Sequence, residues 1–278
     1  MRVVAINDLS GLGKCSLVSD ITALSAMGIE VCPVPTAVLS AQTGFSTYYC
    51  KDLTEVIPKY TDKYKEQNAE FDGIITGFML NEAQAGACLD FIRSFKKENT
   101  TALVDPVLGD DGERYMNFSE ELLEAMKELV KEADIITPNM TELCLLADIE
   151  PGKTSEYSAD ELIDFLLDTA AKVRGSRKQT IVVTGIPLSG EREVGNLVVK
   201  ESEHALIRSH TNGVHYSGTG DFFAAVLLGG ILSGKDANDA ALLAGEFIKA
   251  SVEDAEKAGT EGVCGIAFEK HLGMLIQN

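Results

Sequence analysis

No run of about 18 apolar residues occurs in the chain, so no membrane-spanning helix is expected. The six cysteines are Cys15, Cys32, Cys50, Cys88, Cys144 and Cys264; none forms a CxxC pair and no Cys/His cluster has zinc spacing. They read as buried small hydrophobes in a reducing cytosol, which argues against a disulfide scaffold or a zinc module. Cations are scarce. Lys and Arg number 24 against 43 Asp and Glu, and no basic block offsets the net charge of −19. Nucleic acid and anionic membrane are therefore excluded as expected partners. An anionic small ligand is not, because such sites use backbone dipoles and a few local cations. The N-terminus has no basic region followed by a long apolar stretch, so it does not read as a signal peptide. Linkers rich in Pro, Gly or Ser, repeats and low-complexity tracts are also missing. One cytoplasmic domain over residues 1–278 is expected, with 45% hydrophobic residues to fill its core.

What the chain does contain is an alternation of short β-branched runs and longer helical patterns. Expected strands are Val3–Ile6, Glu30–Leu39, Asp72–Thr76, Thr101–Asp105, Ala133–Thr137 and Thr180–Thr184, with an edge hairpin of Val194–Val199 and His204–Ser209. Expected helices are Leu17–Met27, Asp52–Gln67, Glu82–Lys97, Glu120–Lys131 behind the N-cap Ser119, one starting at Asn139, and Ser158–Val173 with a Ser158/Glu161 capping box. Three more follow at Asp221–Ser233, Asp236–Glu256 and about Phe268–Leu275. This order implies an α/β fold with three α/β/α layers, a mostly parallel central sheet and a small edge hairpin. Ligands of such sheets bind beyond the carboxyl ends of the strands, so the polar residues found there are the candidates.

The first strand runs into Asn7-Asp8-Leu9-Ser10-Gly11-Leu12-Gly13-Lys14. Two phosphate motifs nearly appear and both fail. A P-loop needs Gly where Asp8 stands and Ser or Thr where Cys15 stands; the dinucleotide fingerprint needs a third Gly where Ser16 stands. Lys14 reads as a solvated loop cation. Later strand ends offer Ser40-Ala41-Gln42-Thr43-Gly44-Phe45, Thr76-Gly77-Phe78, Thr137-Pro138-Asn139-Met140-Thr141-Glu142 and Thr184-Gly185. Phe78 reads either as core or as a cover for a flat ring. Asp105-Pro106-Val107-Leu108-Gly109-Asp110-Asp111-Gly112 places three acids within seven residues, which suits either a hard cation or a solvated turn. Glu142 stands three residues after Asn139, the capping-box spacing.

Ser217-Gly218-Thr219-Gly220-Asp221 then leads into the apolar stretch Phe222–Ile231. Small residues let the backbone turn tightly and expose successive N–H groups. A helix starting there aims those groups and its positive dipole end at an anion. Asp221 is either a first-turn acid complementing that dipole or a base beside the anion. An anion cradle, a carboxylate base and acids for a divalent cation together form a phosphotransfer site.

Four segments, Thr76-Gly77-Phe78, Asp105 to Asp110, Ile136 to Glu142 and Gly218 to Asp221, occur in an order that resembles the pyridoxal/pyridoxamine kinases of the ribokinase-like superfamily. The resemblance covers nearly the whole chain. It implies phosphorylation of the 5′-hydroxymethyl group of a B6 vitamer by ATP and Mg²⁺. Asp221 would be the catalytic base and Gly218, Thr219 and Gly220 the anion hole. Asp105, Thr137, Asn139, Glu142 and Thr184 would lie by the nucleotide, with Asp105, Asp110 and Glu142 near the metal. Thr43, Phe78 and either Asp8 or Ser10 would contact the ring, with Asp221 at its hydroxymethyl arm. Activation by a monovalent cation such as K⁺ and a homodimer are further implications.

One segment departs from that pattern. Asp8-Leu9-Ser10-Gly11 is more similar to the first loop of hydroxymethylpyrimidine kinases, although those enzymes usually carry Cys where this chain has Asp221. A hydroxymethylpyrimidine kinase is the alternative reading, and a non-catalytic vitamer-binding protein a more distant one.

Overall fold

A computed structural model describes residues 1–152, 157–188 and 192–276. Nine strands form one sheet: β1 (Arg2–Leu12), β2 (Glu30–Ala41), β3 (Cys50–Asp52), β4 (Gly73–Thr76), β5 (Thr101–Val104), β8 (Ile135–Ile136), β9 (Thr180–Pro187), β10 (Glu193–Val199) and β11 (His204–His210). The remaining strands, β6 (Gly109–Asp110) and β7 (Glu113–Arg114), pair as a separate small hairpin. The sheet order is β11-β10-β9-β8-β5-β4-β1-β2-β3. Pairing is parallel from β9 through β2 and antiparallel at both edges.

The helices are α1 (Leu17–Ala26), α2 (Val56–Glu66), α3 (Glu82–Phe95), α4 (Glu120–Lys131), α5 (Met140–Leu146), α6 (Ala159–Val173), α7 (Thr219–Leu232) and α8 (Ala237–Lys257). Amphipathic spacing decides how they pack. In α4, Leu122, Leu123, Met126, Leu129 and Val130 make one buried stripe behind a Ser119 cap that accepts from the Leu122 N–H. Helix α7 is instead buried from Phe222 to Gly230, as expected of a helix with no polar face. Two apolar cores result: α2 to α6 cover one face of the sheet, and α1, α7 and α8 cover the other. The expected three-layer architecture and edge hairpin are present.

Several boundaries differ from expectation. Both β1 and β2 continue past the sheet body, to Leu12 and Ala41. Asp8 and Ser10 thus lie on a strand, not in a loop. The β1–β2 pairing shifts register between Asn7 and Leu9 and then resumes, a bulge that bends the extension. Gly11 permits it, since a Cβ there would come within 2.7 Å of the Ser40 carbonyl oxygen. Asp52 closes strand β3 rather than opening a helix, because its carboxylate accepts the Thr54 N–H at 2.7 Å and turns the chain before Val56. Strand β8 is cut to Ile135–Ile136, and β9 extends to Pro187, where β10 lends it ladder partners. The last helix is a 3₁₀ turn, Leu272–Leu275. The strand tips of β6 and β7 were expected to be an acidic loop. Asp111 and Gly112 both have positive φ (48° and 81°), the two-residue turn that matches hairpin twist.

Strand β1 lies between β2 and β4. The chain leaves β1 toward one edge and returns to β4 on the other side, which opens a crevice beyond the carboxyl ends of these strands.

Candidate active site

Side-chain alternation along the strands selects what faces that crevice. Val3 and Ala5 of β1 pack with α1 and α7, so Asn7 points to the same side. Leu103 does likewise on β5 and Ile135 on β8, which brings Asp105 and Thr137 to that side. The N-terminus of α7 lies there too. A Cβ on Gly220 would be 3.9 Å from Asp105 Oδ2.

The turn into α7 is fixed by packing. Gly218 has φ 82°, a conformation that favours glycine. A side chain there would also collide with the Lys14 carbonyl. Thr219 Oγ1 donates to the Tyr216 carbonyl at 3.0 Å, and the first helical bond runs from Phe222 N to Gly218 O. The N–H groups of Thr219, Gly220 and Asp221 therefore precede the helical ladder. Asp221 is half-buried beside them.

Asn7 is the hub beneath Asp221. Its Nδ2 donates to Asp221 Oδ1 at 3.2 Å and to Asp20 Oδ2 at 3.1 Å. Its Oδ1 accepts from the N–H of Phe78 at 2.9 Å and of Asp8 at 3.0 Å. Gly77 makes room for this amide, since a Cβ there would overlap it. Asp8 and Ser10 face inward together on the β1 extension, where the Ser10 hydroxyl donates to Asp8 at 2.7 Å. Ser16, at the start of α1, has φ 56° and ψ −135°, a strained backbone for a residue with a Cβ. Its backbone bonds to Asp221 and its hydroxyl to Asp8.

Across the crevice, Asp105 Oδ1 accepts from Thr137 Oγ1 at 2.7 Å. Glu142 closes a capping box with Asn139: Oε2 accepts the Asn139 N–H at 2.8 Å, and Asn139 Oδ1 accepts the Glu142 N–H at 2.9 Å. Glu142 Oε1 accepts the Leu108 N–H at 3.2 Å, and Asn139 Nδ2 donates to the Gly109 carbonyl at 2.8 Å. The acid-rich segment is thereby tied to α5. Thr184 approaches through an isolated bridge to Asn139.

Burial governs the electrostatics. It raises the carboxyls of Asp20 and Glu142 well above the usual range, and neighbouring acids add to the rise. Burial also lifts Asp105 to about 7, against the Thr137 hydrogen bond. Asp221 rises to about 6 from burial, countered by its bonds to Ser16 and Asn7.

The structure thus gathers Asp8, Ser10, Phe78, Asp105, Thr137 and Asp221 around one crevice mouth. Asp110 lies with Asp111 and His215, 3.3 Å from His215 Nδ1. Thr43 is exposed in the loop after β2. Lys14, expected to be solvated, pairs with Glu269 at 2.7 Å and lies over the Phe268 ring. Asn7, Ser16, Asp20 and Gln42 were not anticipated. Gln42 Nε2 donates to Ser217 Oγ at 3.0 Å and so links the end of β2 to the α7 turn. Inspecting the residue after Ile6 would have found Asn7. An acid on the apolar stripe of α1 was the signal for Asp20.

The profile of the phosphomethylpyrimidine kinase family matches residues 13–265. This chain belongs to that family. Its relatives include a protein from Bacteroides thetaiotaomicron, described as a candidate phosphomethylpyrimidine kinase and crystallised with pyridoxal. That structure is 34% identical to this chain, with a TM-score of 0.91, and the match covers 99% of this chain and 95% of the other. The pyridoxal kinase of Lactobacillus plantarum is 26% identical, with a TM-score of 0.88 and the same coverage. The pyridoxal kinase of Sus scrofa is 29% identical over 228 residues, 74% of this chain and 67% of its own. Pyridoxal kinases are therefore among the homologues of this chain, and the family's ribokinase-like fold is the one described above. Among the described residues, no helix is long and apolar enough to cross a membrane.

Proposed function

We propose that this phosphomethylpyrimidine kinase family member is a pyridoxal kinase, transferring the γ-phosphoryl group of ATP to the 5′-hydroxymethyl group of pyridoxal, pyridoxamine or pyridoxine. One observation carries the reading. The Asp221 carboxylate stands beside three helix N–H groups that have no helical partner, at the mouth of the crevice. Asp221 takes the proton from the vitamer hydroxyl as its oxygen bonds to the γ-phosphorus. The bond from that phosphorus to the β–γ bridging oxygen breaks, and ADP leaves. The N–H groups of Gly218 to Gly220 and of Asp221 receive the charge on the transferred phosphoryl oxygens. Asp105, Thr137, Asn139, Glu142 and Thr184 form the nucleotide side.

Asp105, Asp110 and Glu142 all offer oxygen, the ligand type Mg²⁺ takes, but their oxygens do not gather within 4.8 Å of one another, and Asp110 groups with Asp111 and His215 instead. Asp105 has one oxygen beyond its Thr137 bond, whereas each Glu142 oxygen already holds a backbone N–H. Asp105 would be the primary ligand and Glu142 a shared one. Mg²⁺ supplies charge neutralisation on the phosphates. Phe78 covers the vitamer ring, with Asp8, Ser10 and Thr43 at its edge. K⁺ activation belongs to the same reading and is tested by exchanging potassium for sodium.

The reading includes one kinase domain over residues 1–278, a cytoplasmic setting and a homodimer. Six free cysteines fit a reducing compartment. The extension of β1 and β2 exposes Leu9 (40%), Leu12 (61%), Val38 (40%) and, by its β3 partner, Tyr49 (66%), an apolar surface suited to a second copy.

A coupled ADP-release assay over pyridoxal, pyridoxine, pyridoxamine and hydroxymethylpyrimidine tests the function. A higher kcat/KM for hydroxymethylpyrimidine would favour the second reading.

A further inference from the structure

Asp20 has no part in the chemistry proposed above, yet its placement is costly. It sits in the first turn of α1, 1% exposed, among the apolar residues that seal this helix to α7. Its Oδ1 is buried with no hydrogen-bond partner. A buried carboxylate with an unused oxygen costs free energy that an apolar side chain of similar size would not. A first-turn acid complements the helix dipole, but that effect does not require a side chain that is 1% exposed with an oxygen left unpartnered. The contact it does make is specific: Oδ2 accepts one N–H of the Asn7 amide at 3.1 Å.

Asn7 has two Nδ2 hydrogens and two carboxylates to receive them. One goes to Asp20, the other to Asp221 Oδ1 at 3.2 Å. The amide oxygen is taken by the N–H groups of Phe78 and Asp8. Both hydrogens and both lone pairs of this amide are therefore committed. The amide cannot flip, since a flip would aim its oxygen at two carboxylates and its donors at two backbone donors. Among the described residues, Asp20 and Asp221 are the two acceptors of that amide nitrogen. Without Asp20, the amide oxygen stays held by the Phe78 and Asp8 N–H groups, but one Nδ2 hydrogen loses its acceptor and Asp221 alone is left to set the tilt of the amide nitrogen.

We infer that Asp20 is a positioning residue, which acts through the Asn7 amide to hold the Asp221 carboxylate toward the crevice. The inference rests on Asp221 being the base of the proposed kinase. It assigns to α1 a polar task inside an apolar interface. It also accounts for Gly77, whose missing side chain leaves space for the amide in this orientation.

A double-mutant cycle on the full chain tests it, with pyridoxal and MgATP as substrates. Asp20→Ala is expected to lower kcat roughly tenfold while both KM values stay within about twofold. Asp20→Asn keeps an oxygen acceptor for Asn7 and should recover to within about threefold of the parent kcat. In an Asn7→Ala background, adding Asp20→Ala should change kcat by less than about twofold, because the intermediary is already gone. Losses that multiply in the double variant would overturn the inference, as would an Asp20→Ala variant whose KM rises while kcat holds. If the alanine variant lacks a cooperative thermal transition, Asp20→Leu, which keeps the volume, replaces it in the same cycle. Asp221→Asn is measured alongside. Full activity there would sink the base assignment together with the relay, whereas an inactive Asp221→Asn with an additive cycle would sink the relay alone.

Discussion

Two acids on opposite sides of the crevice, Asp221 and Glu142, have similar sequence settings and different surroundings. Each stands at the third position of a helix whose start faces the strand ends. Glu142 is 5% exposed, and both its oxygens hold backbone N–H groups, those of Asn139 and Leu108. Asp221 is only half-buried, and its helix starts at a glycine with no side-chain cap. The difference lies in the N-cap. Asn139 takes one first-turn donor of α5, the Glu142 N–H, and draws the Glu142 carboxylate back onto its own backbone N–H. Gly218 consumes nothing, which leaves the first turn of α7 and its acid facing outward. The bonds an acid already makes thus separate a carboxylate that builds a site from one that can react in it.

The sharpest way to break this contrast is to neutralise each acid in turn. Asp221→Asn should keep the fold and ATP binding and lose about 10²–10⁴ in kcat. Turnover within about threefold of the parent, on the order of 0.7 kcal/mol, would place the base elsewhere. Glu142→Gln should act first on stability. The amide nitrogen cannot accept, so either the Asn139 or the Leu108 N–H loses its partner, at about 1–3 kcal/mol. Thermal melts should show a drop of several degrees. Titrations of Mg²⁺ and ATP should show higher requirements, with the pyridoxal KM nearly unchanged. An unchanged melting temperature would contradict the structural role given to Glu142.

The pH dependence extends the contrast, because activity and stability should run in opposite directions. Asp221 works deprotonated and its carboxyl is pushed up to about 6. The rate should therefore fall about tenfold per unit below that pH. For stability the sign reverses. Asp221 and Asp105, the latter at about 7, bind protons more tightly in the folded state than an unfolded Asp near 3.9 does. Their contribution is complete below about pH 4 and is lost as pH rises through about 6 to 7. Melting temperatures of the ligand-free protein should decline between pH 5 and 7 while kcat climbs. A parallel rise of both would mean that these carboxyls are not protonated in the folded state.

Much of this was legible in the sequence, for identifiable reasons. The Gly218-Thr219-Gly220-Asp221 turn was readable because its backbone demands show in residue type. The same holds for the Ser119, Asn139 and Ser158 caps, whose side chains bond within three residues. Strand β2 was read to Leu39, two residues short of its end, but the extension of β1 was not readable, since the partner that continues its ladder lies about 30 residues away and polar residues interrupt it. The β6–β7 hairpin was missed although Asp111-Gly112 is a strong local turn signal; the run of acids drew attention to charge instead. Asn7 and Asp20 escaped because their meaning depends on contacts 13 and 214 residues apart in the chain. Local chemistry was visible, and the network that orients it was not.

The smallest expected effect lies at Phe78, and it sharpens the contrast by asking which half of the crevice holds the ring. The Phe78 backbone is pinned on both sides: its N–H donates to Asn7 at 2.9 Å, and its carbonyl accepts from Thr36 Oγ1 at 3.1 Å. Phe78→Ala therefore removes the ring without releasing the strand end or the Asn7 amide. A lost aromatic contact is worth about 0.5–1.5 kcal/mol beyond area burial, or roughly threefold to tenfold in affinity. The pyridoxal KM should rise by that factor while the ATP KM stays nearly constant, because the α7 turn and the Asp105 side are untouched. Steady-state titration of each substrate against saturating amounts of the other separates the two. A rise confined to the ATP KM would move Phe78 to the nucleotide half, and equal rises in both would mean that the ring shapes the crevice as a whole.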